Sequence, residues 1–147
     1  MGFPSLPNCN WDMLLDDLYE LLKEIKSGYD IDEDRVYLTG LSMGGHGTWA
    51  FAVQHPDEFA AIVPICGWLI DVNDARRLAD MPVWVFHGAK DTVVSVHCSE
   101  ALVDVLRRCG ADVRFTVYPE AEHDSWTAAY SDPSLYEWLL SQKRKSR

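Results

Sequence analysis

The sequence predicts an α/β fold in which a parallel sheet of about four strands carries helices on both faces. Short runs rich in β-branched and aromatic residues alternate with longer segments whose apolar residues recur every three or four positions. The β-rich runs are almost continuously apolar, as is typical of strands covered on both faces, and strand–helix alternation favours a parallel sheet. With 147 residues, 48% of them apolar, we expect a single domain over residues 1–147.

The first predicted element is an amphipathic helix from Trp11 to Ile25, where apolar residues recur at three- and four-residue steps. Gly28 follows as a stop signal. The acidic stretch DIDEDR, residues 30–35, is next. It lacks the central glycine and the downstream glutamate of a calcium-binding loop, so it indicates a solvated turn.

The rest of the chain alternates strand and helix without internal repeats. The predicted strands are RVYLTG (35–40), FAAIVPICG (59–67), MPVWVFHG (81–88) and DVRFTVYP (112–119). The predicted helices are GGHGTWAFAVQHP (44–56), DVNDARRLAD (71–80), SVHCSEALVDVLRRCG (95–110) and SLYEWLLSQ (134–142). Ligands of parallel sheets bind at the carboxyl ends of the strands. Candidate functional residues are therefore those that follow each strand.

The charge balance argues against two classes of partner. The chain has 13 basic and 23 acidic residues, and a formal net charge of −10 repels nucleic acids and anionic membranes.

The N-terminal segment 1–10 has neither a basic start nor an apolar signal core. The chain as written is expected in the cytoplasm, or outside the cell if its true N-terminus is missing. The basic tail 142–147 is expected to be a solvated, disordered end.

The four cysteines do not indicate a disulfide framework or a zinc site, because no CxxC or Cys/His ligand pair occurs. Cys98 and Cys109 are expected on one helix, about 16 Å apart, which is beyond disulfide reach. The spacing therefore predicts reduced or structural thiols and no metal site.

A candidate nucleophile follows the first predicted strand. Gly40-Leu41-Ser42-Met43-Gly44 matches G-x-S-x-G between a strand and a helix. A serine there sits on a sharp turn, and we expect the flanking glycines to be required because a Cβ would collide with neighbouring backbone. The turn would raise the Ser42 hydroxyl above the sheet. It would also leave the Met43 N–H at a helix N-terminus, facing an oxyanion.

A serine nucleophile needs a histidine base, and the chain has five histidines. Three of them are expected to serve other purposes. His46 lies in the first turn of the serine's helix, and we expect it to make a packing or polar contact. His55 is expected to have a surface or capping role. His97 is expected at an exposed position on a helix.

The other two histidines follow strands at the functional end of the sheet. His87 closes the third strand, and Asp91 comes four residues later. His123 lies in the loop after the fourth strand. The order Ser42, Asp91, His123 favours His123 as the base and Asp91 as the acid that orients it. His87 is expected to brace the turn that carries the acid.

Two tryptophans fall near this predicted site. Trp68 follows the second strand, and Trp126 comes three residues after His123. Either could offer an aromatic wall to an acyl or phenolic group of a substrate. Packing in the core or at the rim is an equal alternative.

Three separated segments, residues 35–67, 82–96 and 115–130, resemble the α/β-hydrolase superfamily. More narrowly, they resemble its esterase and predicted peptidase group, which is related to polyhydroxyalkanoate depolymerases and feruloyl esterases. The resemblance runs from Trp11 onward, and its motifs agree in order and spacing. It implies Ser42 as nucleophile, Asp91 as acid and His123 as base.

The resemblance also implies an eight-stranded sheet, of which this sequence matches the last four strands. We therefore expect a truncated, minimal α/β-hydrolase fold. The loop that would supply a second oxyanion N–H has no counterpart here, and losing one donor costs about 10²- to 10³-fold in rate. RVYLTG becomes a sheet edge with unpaired backbone groups, which predicts a homo-oligomer that covers this edge.

These observations favour a serine carboxylesterase. Its expected substrates are small-molecule esters with short acyl or aryl groups, hydrolysed through an acyl-enzyme. This mechanism requires neither a metal nor an organic cofactor. Two alternatives stay open. One is a serine peptidase of the same fold, and the other is a non-catalytic truncated hydrolase that acts as a binding or assembly module.

Overall fold

The computed structural model describes residues 11–144, so the N-terminal segment 1–10 and residues 145–147 lie outside the described part. The chain forms one sheet of four parallel strands, in which each strand lies beside the next one in the sequence. The strands are β1 (Tyr37–Leu41), β2 (Ala61–Ile65), β3 (Val83–Gly88) and β4 (Val113–Tyr118). This sheet confirms the predicted α/β class.

Five α-helices and three 3₁₀ turns surround this sheet in the described chain. The helices are α1 (Leu15–Gly28), α2 (Met43–Gln54), α3 (Val96–Arg108), α4 (Trp126–Ser131) and α5 (Pro133–Ser141). The 3₁₀ segments are Trp11–Met13, Glu33–Arg35 and Val72–Leu78. Between residues 11 and 144, no helix combines the length and the apolar character that a bilayer span requires.

The structure corrects three details of the predicted helices. The segment Trp11–Met13 is a 3₁₀ turn, so α1 begins later than predicted, and it includes Gly28 as its last residue. Residues Val72–Leu78 form a 3₁₀ helix, which begins where the Asp71 carboxylate accepts from the Asn73 N–H. Helix α4 was not predicted, because six residues are too few to show a helical period.

Apolar side chains cover both faces of the sheet. On one face α2, α3 and the Val72–Leu78 turn contribute side chains to a core with the strands: Trp49, Leu78, Leu102 and Leu106 with Ile62, Val83 and Val85. On the other face α4 and α5 do so: Ala129, Leu135 and Trp138 with Val63, Ile65, Trp84 and Phe86. Burying each large apolar side chain contributes roughly 1.5–3 kcal/mol. The helices therefore lie on both faces, as predicted.

Strand β1 forms an edge of the described sheet. It pairs only with β2 among the described strands, from Tyr37 beside Ala61 to Leu41 beside Ile65. Its residues are partly exposed, whereas those of β2 are fully buried. The predicted edge is present within residues 11–144. Its coverage by a homo-oligomer stays a prediction.

The expectation of a disordered basic tail is wrong for Arg144. Its backbone N–H donates to the Asp34 carbonyl at 2.8 Å, and its guanidinium contacts the Asp34 carboxylate and the Asp57 carbonyl. The acidic turn at Asp34 and the Asp57 carbonyl thus anchor Arg144. These groups are far apart in the sequence and meet only in the folded chain. Residues 145–147 of the predicted tail lie outside the described residues.

Candidate active site

Ser42 lies on a sharp turn between β1 and α2. Its backbone has a φ of 53° and a ψ of −117°, a conformation that is unfavourable for a residue with a side chain. The packing around the turn supports this conformation. The Ser42 N–H donates to the Ile65 carbonyl at 2.9 Å, and a Cβ on Gly40 would lie 2.3 Å from the Gly44 carbonyl oxygen. The β1–α2 crossing therefore requires glycine at position 40.

The prediction that both flanking glycines are sterically required is wrong for Gly44. A Cβ at Gly44 would meet no atom within 4 Å. The second close approach instead involves Gly45, where a Cβ would lie 2.4 Å from the Ile65 carbonyl oxygen. The helix thus meets β2 one residue later than the motif alone implies.

The structure brings Ser42, His123 and Asp91 together in one line. The Ser42 Oγ lies 2.9 Å from the His123 Nε2, and the His123 Nδ1 lies 2.8 Å from the Asp91 Oδ2. The carboxylate accepts only, so the Nδ1 carries the proton and donates to it. The Nε2 is then free to accept the serine proton. The three side chains follow the carboxyl ends of β1, β3 and β4. They meet because parallel strands have their carboxyl ends on the same side of the sheet.

A tight turn after β3 holds the Asp91 carboxylate. The N–H groups of Val93 and Val94 both donate to its Oδ1 at 2.9 Å. The His87 ring donates from its Nε2 to the Val94 carbonyl at 2.8 Å and lies 3.2 Å from the Asp91 Oδ2, while the Ser99 hydroxyl bonds its Nδ1. His87 therefore contacts the acid turn, and the described contacts do not include Ser42.

Hydrogen bonds keep Asp91 ionised. Burial by itself would raise the pKa of this carboxyl, because its side chain is fully buried. The donors His123, Val94 and Val93 outweigh that effect and hold the pKa of Asp91 below its ordinary value. A permanent negative charge beside the imidazole stabilises the imidazolium that forms when His123 takes a proton.

Met43 is the first residue of α2, directly after Ser42. The first N–H groups of a helix have no acceptor within the helix, and the helix dipole makes this end partly positive. Met43 as a residue is 52% exposed, at the same end of the sheet as Ser42. The Met43 N–H is therefore placed where a helix can stabilise a nearby anion.

The two tryptophans have different surroundings. The Trp126 ring meets the His123 ring edge-on, with centroids 5.4 Å apart. The Trp68 ring instead stacks on His46 at 4.9 Å, and its carbonyl contacts the Nδ1 of the same histidine. Trp126 thus borders the Ser–His–Asp line, whereas the described ring contact of Trp68 is with a buried histidine one turn along α2.

The remaining histidines have the surroundings that the sequence predicted, with one refinement. His46 is buried, and its Nε2 contacts the Asp12 carboxylate at 3.0 Å. His97 is exposed on α3. His55 is the C-cap residue of α2, and its ring stacks on Tyr19 with centroids 3.8 Å apart rather than lying free on the surface.

Sequence reasoning missed Cys66, which follows β2. It is fully buried and has a φ of 41°, again unfavourable for a residue with a side chain. Its Sγ, a ring nitrogen of His123 and a carboxylate oxygen of Asp91 all lie within 4.8 Å of one another. The predicted strand 59–67 included Cys66, whereas β2 ends at Ile65, so only the structure makes Cys66 a residue that follows a strand.

A cavity at the opposite end of the sheet contains none of these groups. It lies at the amino ends of β2 and β3, and both acidic and basic side chains line it, including Asp34, Arg77 and Arg144. The candidate active site is therefore the carboxyl end of the strands, where Ser42, Asp91 and His123 meet.

Comparison with known proteins supports the resemblance. A sequence profile of the phospholipase/carboxylesterase family matches residues 15–133. A bifunctional acetylxylan esterase/xylanase from Neocallimastix patriciarum is 31% identical over 125 residues, which are 81% of this chain and 17% of that protein. Poly(3-hydroxyalkanoate) depolymerase C from Paucimonas lemoignei is 42% identical over 48 residues, which are 33% of this chain and 12% of that protein.

The crystal structure of a thermostable esterase has the same fold over most of this chain. The TM-score is 0.84 at 40% identity, and the match covers 88% of this chain and 36% of that one. This chain thus spans well under two thirds of the length of each of these relatives. The predicted resemblance to α/β-hydrolase esterases is confirmed, and the profile covers most of the sequence. The chain belongs to the phospholipase/carboxylesterase family.

Proposed function

We propose that this chain hydrolyses carboxylic esters, with Ser42 as nucleophile, His123 as general base and Asp91 as the acid that orients the base. The hydrogen-bond line from Ser42 through His123 to Asp91, at 2.9 Å and 2.8 Å, carries this proposal. Membership of the phospholipase/carboxylesterase family supports it independently of the geometry.

In the proposed reaction the His123 Nε2 takes the proton of Ser42 as its Oγ attacks the ester carbonyl. The Asp91 carboxylate stabilises the resulting imidazolium. His123 then returns the proton to the leaving alcohol, and an acyl group remains on Ser42. His123 next takes a proton from a water molecule as that water attacks the acyl group. The bond to the Ser42 Oγ breaks, the serine regains its proton from His123, and the carboxylic acid is released.

The Met43 N–H is our candidate for a donor to the negative oxygen that develops during attack. The position of Met43 at the start of α2 supports this assignment. A single such donor contributes about 10²- to 10³-fold in rate. The rate that this chain reaches therefore depends on whether a second donor joins Met43.

We propose short acyl or aryl esters as substrates. The Trp126 ring beside His123 offers an apolar wall next to the reacting atoms. A relative that is named as an acetylxylan esterase favours a small acyl group. Trp68 is the weaker candidate for substrate contact, because its ring is stacked on His46.

Hydrolysis of p-nitrophenyl acetate and p-nitrophenyl butyrate tests the proposal. We expect Ser42→Ala to lower kcat/KM at least about 10³-fold, because the nucleophile is lost. Ser27→Ala is the matched control, since that serine is exposed at the end of α1. The rate in buffer alone is subtracted from both measurements. If Ser42→Ala then hydrolyses the esters as fast as the unchanged chain, the esterase proposal is wrong.

Labelling with a fluorophosphonate separates slow turnover from absence of an active nucleophile. We expect the label on Ser42, and we expect His123→Ala to abolish it while His97→Ala, an exposed control, does not. Labelling together with cleavage of anilides but not esters would favour the peptidase alternative. No labelling and no turnover would favour the non-catalytic binding module.

A further inference from the structure

Three ligand types for a soft divalent cation converge beside the proposed nucleophile. The Cys66 thiol, a His123 ring nitrogen and an Asp91 carboxylate oxygen lie within 4.8 Å of one another. They come from the ends of β2, β4 and β3, so no spacing in the sequence indicates them. Thiolate, imidazole and carboxylate are the three kinds of side-chain ligand that Zn²⁺ binds in proteins.

We propose that Cys66, His123 and Asp91 bind Zn²⁺ or a similar thiophilic divalent cation, and that this binding reversibly inhibits the hydrolase. The inhibition part rests on the proposed function, because it requires His123 to be the base. The binding part does not. It depends only on the three ligand atoms and on the access that an ion has to them.

The distances fit this proposal after a small rearrangement. Ligand atoms around a tetrahedral Zn²⁺ lie about 3.5 Å apart, given bonds of about 2.0–2.3 Å. The His123 Nδ1 and the Asp91 Oδ2 are at 2.8 Å, and the full set lies within 4.8 Å. An ion therefore has to open the His123–Asp91 pair, and any longer pair has to close by at most about 1.3 Å, from 4.8 Å to about 3.5 Å. Two of the side chains are fully buried, while His123 is 22% exposed and gives the ion its way in.

A second observation shows an unmet polar group at the same place. The Ser125 hydroxyl is fully buried and has no hydrogen-bond partner among residues 11–144. It lies at this site because the Ser125 backbone N–H donates to the His123 carbonyl at 2.9 Å. Buried polar groups in proteins are almost always hydrogen-bonded. A water molecule in the fourth position of a bound Zn²⁺ would give this hydroxyl a partner.

Binding and hydrolysis exclude each other for a chemical reason. When the His123 Nδ1 binds the ion, its proton moves to the Nε2, and the thiol proton of Cys66 is released to solvent. Asp91 binds through a carboxylate lone pair. His123 then has no oriented, free nitrogen with which to accept the proton of Ser42. Inhibition should therefore be reversible by a chelator.

Cadmium reports the thiolate directly. The variant Cys9→Ala/Cys98→Ala/Cys109→Ala keeps Cys66 as its only cysteine. Titrating this variant with Cd²⁺ should produce ultraviolet thiolate-to-cadmium charge-transfer absorption that saturates at one ion per chain. Cys66→Ala in the same background should remove the absorption, and His123→Ala should weaken the binding while the thiol is still present.

The rate assay tests inhibition separately. We expect the apparent Zn²⁺ inhibition constant to rise at least about tenfold in Cys66→Ala, measured against that variant's own uninhibited rate. Cys109→Ala is the control and should not change it, because that thiol is exposed at the end of α3. If Cys66→Ala does not fold, Cys66→Ser serves in its place.

The results separate the two proposals. Absence of the charge-transfer absorption overturns the metal site whatever the esterase rates are. Inhibition that is unchanged by Cys66→Ala also overturns it, since the ion would then act elsewhere. If the chain hydrolyses no ester, the esterase proposal and the inhibition fail, and the cadmium titration still decides whether the site binds metal.

Discussion

Gly88→Ala should disable the proposed base without touching any of the three triad residues. Gly88 is the last residue of β3, and the loop that carries His123 lies directly on it. An added Cβ would stand 2.0 Å from the Glu122 carbonyl oxygen and 2.5 Å from that of Ala121. Real Cβ contacts are essentially never under 3.0 Å, so the loop must retreat by about 1 Å.

A shift of this size should carry His123 away from both of its partners. Misplacing a reacting group by about 1 Å costs roughly 10²-fold in rate, so we expect that loss in kcat/KM for p-nitrophenyl butyrate. The crowding should also lower the free energy of unfolding by about 1–3 kcal/mol. Gly28→Ala is the matched control, since a Cβ there meets nothing within 4 Å and should leave the rate unchanged.

The assay combines steady-state rates with urea unfolding, so that rates are compared only between folded proteins. A folded Gly88→Ala protein whose kcat/KM stays within about threefold of the unchanged chain would contradict the expected displacement of the base. That outcome would mean either that the loop absorbs the Cβ without moving His123, or that His123 is not the base.

Four further predictions concern the orienting acid, a helix glycine, the pH dependence of stability and the edge strand β1. Asp91→Asn should lower kcat/KM by about 10⁴-fold with the fold intact by circular dichroism, because an amide favours the wrong tautomer of the base; a loss under tenfold contradicts the role of Asp91. Gly45→Ala should destabilise the chain by about 1–3 kcal/mol in urea, since its Cβ would meet a carbonyl at 2.4 Å, whereas Gly44→Ala should not. Burial opposes ionisation of Asp91 and Glu58, but hydrogen bonds, including that of Lys26 to Glu58, hold both pKa values below the ordinary 3.8 and 4.5. Both carboxylates thus contribute stability that is complete above those ordinary values and is lost as the pH falls through the lowered ones, so acid unfolding monitored by fluorescence should set in below about pH 4. Sedimentation should show a homo-oligomer that covers β1, and a stable monomer at micromolar concentration would contradict it.

The sequence predicted the strands well because each is a short apolar run with both faces covered. It predicted the helices less evenly. The amphipathic period identified α1, but the 3₁₀ character of Val72–Leu78 depends on local capping by Asp71, and α4 is too short for a period to appear. Local hydrogen bonds decide such segments, and periodicity does not report them.

The candidate site shows the same division. Residue order and strand ends predicted that Ser42, Asp91 and His123 belong together, and the structure places them within hydrogen-bond distance. Their catalytic roles stay a prediction. The steric reason offered for Gly44 was wrong, because how a helix crosses a neighbouring strand depends on their packing angle, which no motif specifies.

The fold class, the parallel order of the elements and most of the residues at the carboxyl ends of the strands follow from the amino-acid sequence alone. These depend on hydrophobic pattern and chain order, which are local properties. Which side chains touch is visible only in the folded chain: Trp126 lies beside His123 and Trp68 does not, and Cys66 lies next to the proposed base and acid. Such contacts join residues far apart in the chain, and their distances are set by how β-strands align in the sheet.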